Sequence, residues 1–96
     1  MSPINKIKLN SLRKKLDNLD NEFLKLIKKR TNIVNEVLKL KSNKNEIVDK
    51  KRIASILKKI KIKSIQRKID HKITKRIWSN MIWSFINYER KKFKKK

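Results

Sequence analysis

Three cations in the first half of the chain, Arg13, Arg30 and Lys41, have types and spacing that suit the capture of a small dianion. Arg30 stands where an apolar residue is due. Apolar side chains recur at Leu9, Leu12, Leu16, Leu19, Phe23, Leu26, Ile33, Val37 and Leu40, stepping by three and four, and Arg30 fills the one missing beat. A guanidinium buried in such a seam is costly unless an anion meets it. A substrate anion is the expected partner; snorkelling to the surface, or pairing with Glu36 or another chain's acid, is the alternative. Lys41 lies eleven residues on, which on an ideal helix turns it to within about 20° of Arg30, about 16 Å along the axis. Two long cationic side chains so placed can converge on a dianion between them. Arg13, seventeen residues before Arg30, points about 100° away and reaches the same kind of pocket only from a second, antiparallel chain.

These side chains need a long helix to carry them. The seam predicts one over about 9–41, following an arm at 1–8. Within the arm, Ser2-Pro3 offers an N-cap and a proline at the first helical position, while Asn10 or Ser11 offers a later start. Such a helix is roughly 50 Å long, longer than a globule of this size is wide, so a two-fold dimer is expected. Ser42-Asn43-Lys44-Asn45-Glu46 is polar and ends the first helix. Asp49 caps a shorter second helix over about 50–62, with Ile53, Ile56, Leu57 and Ile60 on one face. Residues 63–69 read equally as loop or continuation. Asp70 caps a third helix of medium length running to about Tyr88–Lys92, with Ile73, Ile77, Trp78, Met81, Ile82, Phe85 and Tyr88 inward. The charge run at 93–96 is a basic tail expected to fray. The fold class is therefore all-α: three helices in a single domain over 1–96, paired as a two-fold dimer.

Composition narrows the chemistry. The 96 residues include no Gly, one Pro, no Cys and one His. Turn-makers for a sheet are missing, disulfides and thiolate metal sites are excluded, and His71 alone cannot form a histidine cluster. His71 reads as an exposed first-turn residue, and Trp78 and Trp83 as packing residues. No apolar run approaches the roughly 18 residues of a membrane span, and the N-terminus lacks a signal-like apolar stretch, so a cytoplasmic protein is expected. The net charge of +22, from 30 Lys and Arg against 8 Asp and Glu, attracts polyanions in general. A drift toward A+T-rich codons, which spell Lys, Ile and Asn, accounts for it as well. The lysines are spread over every segment and are not gathered on one face with aromatics, so nucleic acid is not the expected partner.

The pattern Leu12-Arg13-x-x-Leu16-Asp17-x-x-Asp20, then Leu26-Ile27-x-x-Arg30, then Lys41, resembles the all-helical (type II) chorismate mutases. Val48-Asp49-x-x-Arg52 and Ile77-Trp78-x-x-Met81-Ile82-x-x-Phe85-x-x-x-Glu89 look like the second- and third-helix motifs of the same family. The resemblance spans about 12–90. It implies an intertwined homodimer with two shared sites that rearranges chorismate to prephenate, for phenylalanine and tyrosine synthesis, without metal, cofactor or covalent intermediate.

By that resemblance Arg30, with Arg13 of the second chain, clamps the substrate's carboxylates, since arginine forks hold carboxylates in fixed geometry. Arg52 adds positive potential. Lys41 and Glu89 contact the ether oxygen, where negative charge grows as the bond breaks. Asp49 meets the ring hydroxyl. A carboxylate cannot donate a hydrogen bond, so Glu89 must carry a proton to help. Turnover is then expected to fall as pH rises, and Glu89→Gln to flatten that fall. Two positions depart from the family. Ile53 stands where Glu is frequent, leaving Asp49 alone to meet the hydroxyl, and Phe85 stands where Ser is frequent. Three other functions compete: an isochorismate-pyruvate lyase on the same fold, a basic helical nucleic-acid-binding protein, and a coiled-coil adaptor. The last leaves the seam arginine without a purpose.

Overall fold

A computed structural model describes residues 1–94; Lys95 and Lys96, half of the basic tail, lie outside the described residues. Three α-helices and one 3-10 turn account for nearly all of it, and no strand occurs among the described residues: α1 (Pro3–Lys39), the turn Lys44–Glu46, α2 (Lys50–Gln66) and α3 (His71–Lys92). The chain divides into two compact units, Met1–Ile33 and Val34–Lys96.

The first unit is the long front part of α1. The helix starts at Ser2-Pro3, which corrects the expected arm at 1–8 and start at 9. Nothing in Pro3–Lys8 breaks a helix, so it propagates back to the first available cap. The Asn5 N–H donates to Ser2 Oγ at 3.1 Å, the Lys6 N–H donates to the Ser2 carbonyl at 2.9 Å, and Pro3 takes the first helical position. No residue of α1 is buried. The seam leucines and phenylalanine are exposed: Leu12, Leu16, Leu19, Phe23 and Leu26 keep between 54% and 59% of their surface.

The second unit holds the core. The α1 helix ends at Lys39, two residues earlier than the seam predicts. Its end tightens into 3-10 bonds, from the Leu40 N–H to the Val37 carbonyl at 3.0 Å and from the Lys41 N–H to the Leu38 carbonyl at 3.1 Å. Ile47, Ile82 and Ile86 are buried, with Leu38, Val48, Ile53, Ile56, Leu57 and Phe93 packed around them. The α2 and α3 helices pack on each other. The expected inner residues Ile73 and Ile77 remain 56% and 44% exposed, while Ile86, about 180° round the helix from Ile77 and one turn on from Ile82, is buried. Asp49 caps α2 by accepting the Arg52 N–H at 3.0 Å, and Asp70 caps α3 by accepting the Lys72 N–H at 2.9 Å.

The ambiguous stretch 63–69 is mostly helix. The α2 helix runs to Gln66 and closes with the Lys68 N–H on the Ile65 carbonyl and the Ile69 N–H on the Ser64 carbonyl. That pair of bonds is a Schellman motif, which needs a left-handed residue at its hinge. The chain has no glycine to offer, and Lys68 takes the position at φ 56°. Just before the turn, Ser64 and Thr74 share a buried hydroxyl contact at 2.7 Å that ties α2 to α3. The Ser64 hydroxyl also lies 2.6 Å from the Ile60 carbonyl.

Candidate active site

A polar hairpin of local bonds shapes the connection from α1 to α2. Asn43 caps the 3-10 turn by accepting the Asn45 N–H at 3.0 Å. Glu46 Oε1 accepts from the Ser42 N–H and from Asn43 Nδ2, both at 3.2 Å. Ile47, 4% exposed, anchors the turn in the core. Lys41 enters this connection and Asp49 leaves it. Both line one open cleft of about 570 Å³, together with Asn45, Glu46, Val48, Lys50 and Lys51. The sequence marks residues 42–46 only as a polar, turn-like end of the first helix, with no signal for the bonds that Glu46 makes or for the burial of Ile47.

Lys41 is fixed by Glu89. Its Nζ donates to Glu89 Oε1 at 2.9 Å, with the two side chains 17% and 8% exposed. Glu89 sits in the last turn of α3, whose C-cap Phe93 donates its N–H to the Glu89 carbonyl at 2.8 Å and packs against the core. The alternative of a solvated Glu89 paired with Arg90 or Lys92 is not what the chain adopts. Burial also sets this pair apart from the two surface pairs, Lys25–Glu22 and Lys39–Glu36, each at 3.3 Å and at least 65% exposed. Glu36 thus pairs with Lys39.

The other candidates fall as follows. Asp49 is an exposed N-cap, and Arg52 lies exposed in the first turn of α2. Arg13 and Arg30 belong to the first unit. Arg13 is exposed; Arg30 is half-buried with its Nε shielded from solvent. The ideal-helix register relating Arg30 to Lys41 does not extend to Lys41, because α1 has already closed at Lys39. Lys41 is positioned by Glu89 and not by continuation of the helix. Ile53, which replaces a frequent family glutamate, packs on the core, and its N–H donates to the Asp49 carbonyl at 3.0 Å. Phe85, which replaces a frequent serine, makes an edge-on contact with Tyr88, ring centres 6.4 Å apart at 84°. His71 is half-buried and not exposed, lining an apolar cleft with Leu57 and Ile60. Among the described residues no group of three or more His, Asp or Glu could hold a metal ion.

The family model for chorismate mutase type II matches residues 12–90. The chain belongs to that family. Neither the curated proteins nor the solved structures provide a match. Every candidate residue, Arg13, Arg30, Lys41, Asp49, Arg52 and Glu89, falls inside the region matched to the chorismate mutase family. No helix among the described residues is long and apolar enough to cross a membrane.

Proposed function

We propose that the protein is a chorismate mutase acting as a homodimer. The observation that carries this reading is the part-buried contact of Lys41 Nζ with Glu89 Oε1 at 2.9 Å in a chain of this family. The reaction breaks the substrate's ether C–O bond and forms a C–C bond within one molecule. Its transition state gathers negative charge on the ether oxygen. An ammonium has three donors; Lys41 gives one to Glu89 and keeps two for that oxygen. Glu89 holds the ammonium in place before substrate arrives, so no reorganisation is needed during the reaction. With a proton of its own, Glu89 donates as a second contact. Arg30 and the second chain's Arg13 hold the carboxylates in the compact conformer that brings the reacting carbons together. Asp49 accepts from the ring hydroxyl, and Arg52 adds potential beside it.

The exposed seam supports the dimer. Five large apolar side chains in one stripe, each more than half exposed, form a surface that single soluble chains seldom leave open. A second α1 laid against it buries the stripe and delivers Arg13 to the other chain's site.

The test is to incubate purified protein with chorismate and follow its loss and the appearance of prephenate. A parallel arm offers isochorismate and measures pyruvate. Conversion of chorismate, abolished in Arg30→Ala at unchanged helicity, is the expected result. Pyruvate release from isochorismate without prephenate from chorismate would assign the lyase reaction instead. Light scattering is expected to give the mass of two chains; a single-chain mass would refute the shared site.

A further inference from the structure

Tyr88, the residue before Glu89, donates its hydroxyl to Asn35 Oδ1 at 2.8 Å. Both side chains are half-buried. Asn35 lies in the last turns of α1, six residues before Lys41. The end of α3 is therefore tied to the end of α1 at two points, Tyr88 to Asn35 and Glu89 to Lys41. Adjacent residues on a helix project about 100° apart, so the two ties act in different directions around the α3 axis.

We propose that Tyr88 and Asn35 are positioning residues that lock the roll of α3 and thereby hold the Glu89 carboxylate at Lys41. Thr74, Ile82 and Ile86 hold the earlier turns of α3 against the core and α2; at its last turn the Glu89 tie alone leaves the helix end free to roll by a small angle. A side-chain atom about 6 Å from the axis travels about 1 Å for each 10° of roll. A displacement of that size at a reacting group can cost up to about 10²-fold in rate. The second tie removes this freedom. Phe85 serves the same arrangement: its ring, edge-on to Tyr88 at 84°, fixes the plane from which the phenol reaches Asn35. The residue that departs from the family's frequent serine thus supports the tether. Lys92 Nζ also lies over the Tyr88 ring, 6.0 Å from its centre.

This proposal rests on the reading of Glu89 as a contact to the ether oxygen, and two measurements separate their failures. The first is a double-mutant cycle on chorismate turnover. Tyr88→Phe, which removes only the hydroxyl, is expected to lower kcat about tenfold with KM nearly unchanged. Asn35→Leu is expected to do the same, and the two together no more than either. In a Glu89→Ala background Tyr88→Phe should have no further effect. An equal loss in both backgrounds, or no loss in the first, overturns the proposal. The second measurement needs no activity: crystal structures of the wild type and of Tyr88→Phe. The Lys41–Glu89 separation is expected to lengthen by about 1 Å in the variant. An unchanged separation overturns the positioning role, whatever the protein catalyses. An inactive wild type whose Tyr88→Phe variant shows the lengthened contact would sink only the chorismate reading.

Discussion

Replacing Lys41 by methionine keeps most of the unbranched side chain and removes the charge, which strands the Glu89 carboxylate at 8% exposure. The 2.9 Å contact ties that carboxylate directly to the Lys41 ammonium. Removing one partner of a buried pair costs about 3–5 kcal/mol, because the remaining charge is left without compensation. The pair is not fully enclosed, Lys41 being 17% exposed, so the lower end, about 3 kcal/mol, is the expected loss. Lys41→Met/Glu89→Leu, which replaces both charges by apolar groups, should recover most of it. Lys25→Met at the exposed pair with Glu22 is the control and should cost under about 0.5 kcal/mol. The assay is urea unfolding at one fixed chain concentration, since assembly feeds into apparent stability. A Lys41→Met loss no larger than the surface control would refute the claim that Glu89 is held in a poorly solvated place.

Arg30→Ala should lower chorismate turnover by at least about 10²-fold while circular dichroism keeps its helical signal. Glu89→Gln, whose amide donates without needing a proton, should keep or raise chorismate turnover; a tenfold loss in Glu89→Gln would refute the donor role. Leu19→Lys places a charge in the exposed stripe of α1 and should shift light scattering from two chains to one. Lys68→Gly relieves the left-handed hinge after α2, φ 56°, and should raise stability by up to about 1 kcal/mol, read as a higher melting temperature. Thr74→Val removes a hydroxyl that meets Ser64 at 2.7 Å and should cost about 1 kcal/mol in the same assay.

The sequence alone determined what local chemistry determines. Seam periodicity names α1 as one long helix, and Asp49 and Asp70 mark the starts of α2 and α3, because a cap is settled within three residues of itself. Ser2-Pro3 carried the same signal, yet the seam at Leu9 masked it, since a helix needs no apolar face to propagate through Asn5 and Lys8. The spacing of Arg13, Arg30 and Lys41, joined to the motifs of the second and third helices, pointed to the family. Tertiary structure decided the rest. Lys41 meets Glu89 across 48 residues and Tyr88 meets Asn35 across 53. No periodicity fixes such pairs, because they depend on where α1 stops and how α3 is rolled. The buried Ile86 in place of Ile73 and Ile77 is the same roll read at the core. Caps and stripes act within a few turns of one helix, whereas the angle between two helices is set by every side chain packed between them.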